Sequence, residues 1–227
     1  MTTKISPPFG KKYRIYSNSY HNSQITNHKK NVFLQVKFTA MEEEIEKCVS
    51  LLKEGKVILY PTDTVWGIGC DATNEEALMR IYRIKQRNEK KSMIILLDSM
   101  QRLPMYVKKI PLIAWDLLAH VTRPTTFIYQ TAYNLPDKLI HEDGSIAIRL
   151  VQHEFCRQVI RKLGHPLIST SANIAGELTP QTYEKISPEI IRQVDYVVST
   201  DQATSTDFKP SRLIKFIDDY NFTIIRD

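Results

Sequence analysis

From Met41 onward, apolar residues recur first at helical and then at strand spacings. Ile45, Cys48, Val49 and Leu52 lie three or four residues apart, so residues 41–54 read as an amphipathic helix that Gly55 is placed to close. Residues 56–60 form a short apolar run stopped by Pro61, the mark of a buried strand. Thr73 and Glu76 have capping-box spacing, and Ala77, Leu78, Ile81 and Ile84 give the helix that follows one buried face. Residues 93–97, 127–130, 145–150 and 167–170 read as strands, and residues 153–163 as a helix ended by Gly164. Residues 196–199, 212–217 and 222–226 supply the last strands. Helices alternate with strands early and strands dominate later, which predicts an α/β domain on a mixed sheet.

Residues 1–40 break this pattern. They are rich in Ser, Asn, Thr, Lys and Tyr, contain Pro7-Pro8, and show alternation only over residues 32–38, a candidate edge strand. They hold seven of the chain's 31 Lys and Arg and none of its 25 acidic residues, so 41–227 carries 24 basic against 25 acidic groups. The net charge of +6 therefore belongs to an appended arm, expected to be poorly ordered, and the domain at 41–227 is close to neutral. Three roles fit the arm: contact with RNA phosphates, targeting, or a neutral extension ahead of a start at Met41.

The composition excludes several classes. No apolar run approaches the roughly 20 residues of a membrane helix, and no signal-peptide core opens the chain, so a cytoplasmic protein is expected. The three cysteines, Cys48, Cys70 and Cys156, are scattered without a CxxC pair, which argues against a disulfide framework or a structural zinc site. The six histidines show no HxxxH or HExxH spacing, and with only seven glycines there is neither GxGxxG nor GxxxxGK[ST]. If this chain holds a nucleotide, side chains and hydroxyl clusters must do what a glycine-rich loop does elsewhere.

Four segments offer that chemistry. In 60–69, Tyr-Pro-Thr-Asp-Thr-Val-Trp-Gly-Ile-Gly, a strand runs into the hydroxyls of Thr62 and Thr64, which suit either a turn or a crevice at the strand end. Residues 80–91 carry six cations, of which Lys85 and Arg87 fall where the helix ends. Alternating in an extended turn, those two would point to one side and clasp a polyphosphate; a solvated basic face is the plainer alternative. In 166–173 a strand ends in Ser169-Thr-Ser-Ala-Asn173, either a capping turn or an anion cradle. In 145–149, Arg149 shares a face with Ser145 and Ala147 only, and so calls for a carboxylate or phosphate partner, from a ligand or from an internal Asp or Glu.

Taken in order, Tyr60-Pro-Thr-Asp-Thr-Val-Trp-Gly, Lys85-Gln-Arg87, Ile146-Ala-Ile-Arg149 and Ser169-Thr-Ser-Ala-Asn173 with Gly176 resemble the YrdC-like threonylcarbamoyl-AMP synthase family in its short form, over residues 43–217. The resemblance implies a twisted mixed sheet flanked by helices, with an open basic cleft. It implies that Lys85, Arg87, Ser171 and Asn173 surround ATP phosphates, that Lys91, Ser145, Ser169 and Thr179 line the nucleotide site, and that Thr64, Arg149 and Ser211 hold L-threonine, Arg149 at the carboxylate. The implied reaction joins ATP, L-threonine and bicarbonate into threonylcarbamoyl-AMP, with Mg²⁺ held mainly by the phosphates. The product then serves the modification of adenosine 37 in tRNA, through tRNA itself or a transferase partner.

The chain departs from the family at Asn88, at Ser92-Met93, in 121–126 (Val-Thr-Arg-Pro-Thr-Thr) and at Pro210-Ser-Arg212. These departures keep other readings in view: a diverged nucleotide-binding paralogue, a carbamoyl transferase on the same fold, or a non-enzymatic RNA-binding module.

Overall fold

The computed structural model describes residues 38–88, 93–203 and 209–227. Contacts divide the chain into two units, residues 1–42 and 43–227. Most of the basic arm, including 32–37 of the strand expected at 32–38, lies outside the described residues; Phe38, the last residue of that expected strand, is helical.

The first helix, α1, covers 38–53 and so begins a turn before the expected start, taking in Phe38. β1 (Ile58–Tyr60) and β2 (Gly67–Gly69) form an antiparallel pair across the Thr62–Thr64 turn. α2 (Glu75–Ile84) follows, then β3 (Ile94–Leu97), α3 (Leu112–His120), β4 (Thr125–Tyr129), β5 (Ile146–Leu150), α4 (Glu154–Leu163) and β6 (Leu167–Ser171). α5 (Pro188–Gln193), β7 (Tyr196–Val197), β8 (Arg212–Phe216) and β9 (Phe222–Arg226) complete the unit.

Among the described residues the strands form one nine-stranded sheet in the order β7-β1-β2-β6-β3-β5-β4-β8-β9. The pairs β1–β7, β3–β5 and β4–β8 are parallel and the others antiparallel. The mixed α/β sheet expected from the sequence is thus present. β6 joins its two halves, pairing with β2 on one side and β3 on the other.

α4 shows how the pattern makes the core. Phe155, Cys156, Val159, Ile160 and Leu163 repeat at helical spacing and are all buried, and Gly164 ends the helix in the left-handed conformation at φ 83°. Burying each of the large apolar side chains contributes about 1.5–3 kcal/mol.

Three local expectations need correction. The N-cap of α2 is Asn74, whose side chain accepts the Ala77 amide, while the Thr73 hydroxyl bonds to Asp71 instead of capping. β2 escaped the strand pattern because its residues are Gly-Ile-Gly. α3 carries apolar residues on every side and lacks a side-chain cap, so it shows little helical period. No helix among the described residues is long and apolar enough to cross a membrane.

Candidate active site

A cavity of about 220 Å³ opens where the turn after β1, the end of α2, the end of β6 and the segment before β8 converge. Thr64, Arg87, Arg149, Ser169, Ser171, Thr179 and Ser211 all line it, so residues spread over 148 positions meet in one place. Among the described residues its lining contains three arginines, the third being Arg226, and no carboxylate.

The turn after β1 is both a turn and a wall. Thr62 Oγ1 donates to the Val65 carbonyl at 2.8 Å and accepts the Thr64 amide at 3.1 Å, a local hydroxyl turn. Thr64, thus held, faces the cavity. The Arg149 guanidinium donates through one terminal nitrogen to Thr64 Oγ1 at 3.1 Å and pairs through the other with Asp63 at 3.2 Å. Asp63 Oδ2 also accepts the Gln152 amide at 3.1 Å. Arg149 therefore has the internal acidic partner that its place in the strand called for, and it lines the cavity as well. Its Nε is buried with no hydrogen-bond partner among the described residues.

Lys85 and Arg87 do not share a side. α2 ends in a Schellman motif: Lys85 is the C-cap, Gln86 is left-handed at φ 47°, and the Arg87 amide bonds back to the Tyr82 carbonyl at 3.0 Å. This turn is tight, where an extended one was expected, and of the two cations only Arg87 is in the cavity lining. Arg87 lines the cavity, and burial lowers its pKa. Lys85 is 1% exposed, with its ammonium bonded to the main-chain carbonyls of Ser171 and Asn173. Burial, then the charge of Arg87, lowers its pKa to about 7.

β6 presents Ser169 and Ser171 on one face, opposite Gly67 of β2. A Cβ built on Gly67 would come within 3.2 Å of Ser169 Oγ, so the small residue leaves that hydroxyl room. Asn173 ties down the following loop by donating from Nδ2 to the carbonyls of Ile174 and Glu177, both at 2.9 Å. Its Oδ1 is buried without a hydrogen-bond partner among the described residues. Asn173 and Lys85 thus lie behind the cavity wall and shape it.

Ser211 is buried, and its hydroxyl lies 2.7 Å from that of Thr126. The Ser211 carbonyl accepts two bonds from Arg226, at 3.1 and 2.8 Å. Arg226 was not singled out from the sequence. The signal was the one that marked Arg149: an arginine two residues from Ile224 and four from Phe222 in a strand.

Ser145 is not brought to this cavity. It lies at the far end of β5 from Arg149 and lines a separate depression with His141, Asp143 and Lys215. Lys91 lies outside the described residues, as does Ser92.

The comparisons with known proteins bear on the family and the fold. A family model named for Sua5, YciO and YrdC and described as "Telomere recombination" matches residues 50–227. The threonylcarbamoyl-AMP synthase of Pseudoalteromonas translucida (strain TAC 125) is 32% identical over 175 residues, 76% of this chain and 92% of that protein. Among solved structures, E. coli YciO superposes with a TM-score of 0.70 at 25% identity, covering 81% of this chain and 88% of YciO. P. abyssi Sua5 complexed with L-threonine shares the fold, with a TM-score of 0.74 at 24% identity. That match covers 80% of this chain, which spans about half (53%) of the Sua5 chain.

Proposed function

The chain belongs to the Sua5–YciO–YrdC family, and from that premise we propose that it is an L-threonylcarbamoyl-AMP synthase: a nucleotidyltransferase that converts ATP, L-threonine and bicarbonate into threonylcarbamoyl-AMP, pyrophosphate and water. The observation that carries this reading is the meeting, in one cavity, of the Arg149–Thr64 pair with Arg87 and the β6 hydroxyls.

Arg149 takes the threonine carboxylate, with Thr64 and Ser211 beside it. Arg87, Ser169, Ser171 and Thr179 face the nucleotide, and Lys85 adds positive charge from behind the wall. The threonine amine and bicarbonate give a carbamate and release water. A carbamate oxygen attacks the α-phosphorus of ATP, and the bond to the pyrophosphate oxygen breaks. Charge gathers on phosphate oxygens, so the protein's part is to position the reactants and stabilise that charge with fixed donors, with no acid–base pair needed. Mg²⁺, when bound, would be held mainly by the ATP phosphates and would neutralise part of their charge. Among the described residues no cluster of three acidic, His or Cys side chains is placed to hold a metal, and Mg²⁺ commonly keeps water and phosphate ligands. The product serves modification of adenosine 37 in tRNA, and the basic arm at 1–40 is an extension outside the catalytic unit.

The test is pyrophosphate release by the full chain from ATP and bicarbonate, with and without L-threonine. Release that requires both L-threonine and bicarbonate is expected. No release, or release indifferent to threonine, removes the assignment and returns the chain to the diverged-paralogue reading.

A further inference from the structure

Thr126 is sealed behind two of the residues assigned to the amino acid. In β4 it stands directly opposite Arg149 of β5, so the two side chains share one face of the sheet. On its other side β4 runs parallel to β8, where the Arg212 amide donates to the Pro124 carbonyl at 3.0 Å. That pairing brings Ser211 alongside, its hydroxyl 2.7 Å from the Thr126 hydroxyl. Ser211 lines the cavity; Thr126 does not, and it is 0% exposed.

The distance fits a bond in either direction, and burial selects one. Each hydroxyl has one proton to give. Among the described residues the Ser211 hydroxyl is the only hydrogen-bond partner of the Thr126 hydroxyl. If Ser211 donated to Thr126, the Thr126 proton would have no acceptor in a place that water does not reach, and the full desolvation cost of that donor would stand. If Thr126 donates to Ser211, both protons are placed, because the Ser211 proton then turns to the cavity, where water or a ligand accepts it.

We infer that Thr126 is a positioning residue that acts through Ser211, donating to its hydroxyl so that Ser211 meets a ligand as a donor. Arg149, which only donates, lines the same cavity. Thr126 therefore matches the two to a ligand group that only accepts, the carboxylate of the amino acid. This deepens the L-threonine reading above and rests on it.

A double-mutant cycle tests it, using the full chain, pyrophosphate release as the assay and thermal melting to check folding. Thr126→Val removes the hydroxyl at nearly constant shape. It is expected to raise the KM for L-threonine about tenfold, the size of one well-made hydrogen bond lost at a buried site, with the KM for ATP changed less than about twofold. Thr126→Ser, which restores a hydroxyl, should recover most of the lost threonine affinity. In a Ser211→Ala background, Thr126→Val should add less than about twofold, because its route to the ligand has gone.

An unchanged or lowered threonine KM in Thr126→Val means that the proton runs from Ser211 to Thr126, and it overturns the proposal. An equal rise in both KM values, or no recovery in Thr126→Ser, does the same. So does simple additivity with Ser211→Ala, which would mean that Thr126 acts on Arg149 and not through Ser211. If Thr126→Val does not fold, Thr126→Ala replaces it in the same cycle; if neither folds, Thr126 is a core residue and the proposal falls. A wild-type protein whose pyrophosphate release ignores threonine removes the underlying function as well, and that failure shows before any variant is made.

Discussion

Lys85 Nζ donates to the main-chain carbonyl of Asn173 at 2.6 Å, so this lysine supports the loop from beneath. Its pKa, lowered to about 7 by burial and then by Arg87, places its titration in an accessible range. Charged Lys85 is the form that favours bound phosphate, so kcat/KM for ATP should fall as pH rises through about 7, and Lys85→Arg should remove that limb. The stability effect has the opposite direction. Between about 7 and the ordinary lysine value of 10.5 the unfolded chain binds more protons than the folded one, so this group's contribution to stability rises with pH across that window. Rate profiles and melts from pH 6 to 9 check both. Arg87→Ala, which removes a cavity-facing cation, should leave melting nearly unchanged and reduce AMP transfer by at least about 100-fold.

Arg149 is coupled to Asp63, and a simple deletion will mix two effects. Arg149→Ala should raise the KM for L-threonine far more than that for ATP. It also strips a buried carboxylate of its guanidinium, which costs about 3–5 kcal/mol. Adding Asp63→Asn in the same chain should recover part of the lost melting temperature without restoring threonine affinity. Recovery of both would mean that Arg149 serves the fold alone.

Most of the sheet was legible in the sequence because its strands are apolar runs with clear stops, and α2 and α4 because their apolar residues keep helical period. The site was half legible. Thr64, Ser169 and Ser171 follow strand ends, and Arg149 stands out in an apolar strand, so local pattern suffices for them. Lys85 and Arg87 were expected on one side of an extended turn; the left-handed Gln86 between them makes the turn tight, and no residue type announces it as glycine would have done. Ser145 shares a strand face with Arg149, but a face extends beyond a cavity, and four residues of strand carry it out of reach. Arg226 needs the closing of β9 on β8, a pairing that nothing short of the fold reveals.

Gly69 is the most constrained glycine near the site. A Cβ there would lie 2.1 Å from the Ile168 carbonyl and 2.8 Å from the Tyr60 ring, contacts with backbone and buried ring that cannot swing aside. Gly69→Ala should therefore cost about 3 kcal/mol or more, a fall in melting temperature of about 2–4 °C per kcal/mol for a chain of this size. A variant that melts with wild type would mean that β2 shifts freely along β6.

β6 has a second role beyond carrying Ser169 and Ser171. Its hydrogen bonds are what connect β7-β1-β2 to β3-β5-β4-β8-β9. During synthesis, β1 and β2 leave the ribosome about a hundred residues before the strand that joins them to the rest, and until then they are a two-stranded ribbon with both edges open. Amide exchange in β6 should therefore report the joining of the half-sheets and the assembly of the cleft as a single event. The cleft is not whole until the half-sheets meet, because the strand that forms their seam also carries Ser169 and Ser171 into it.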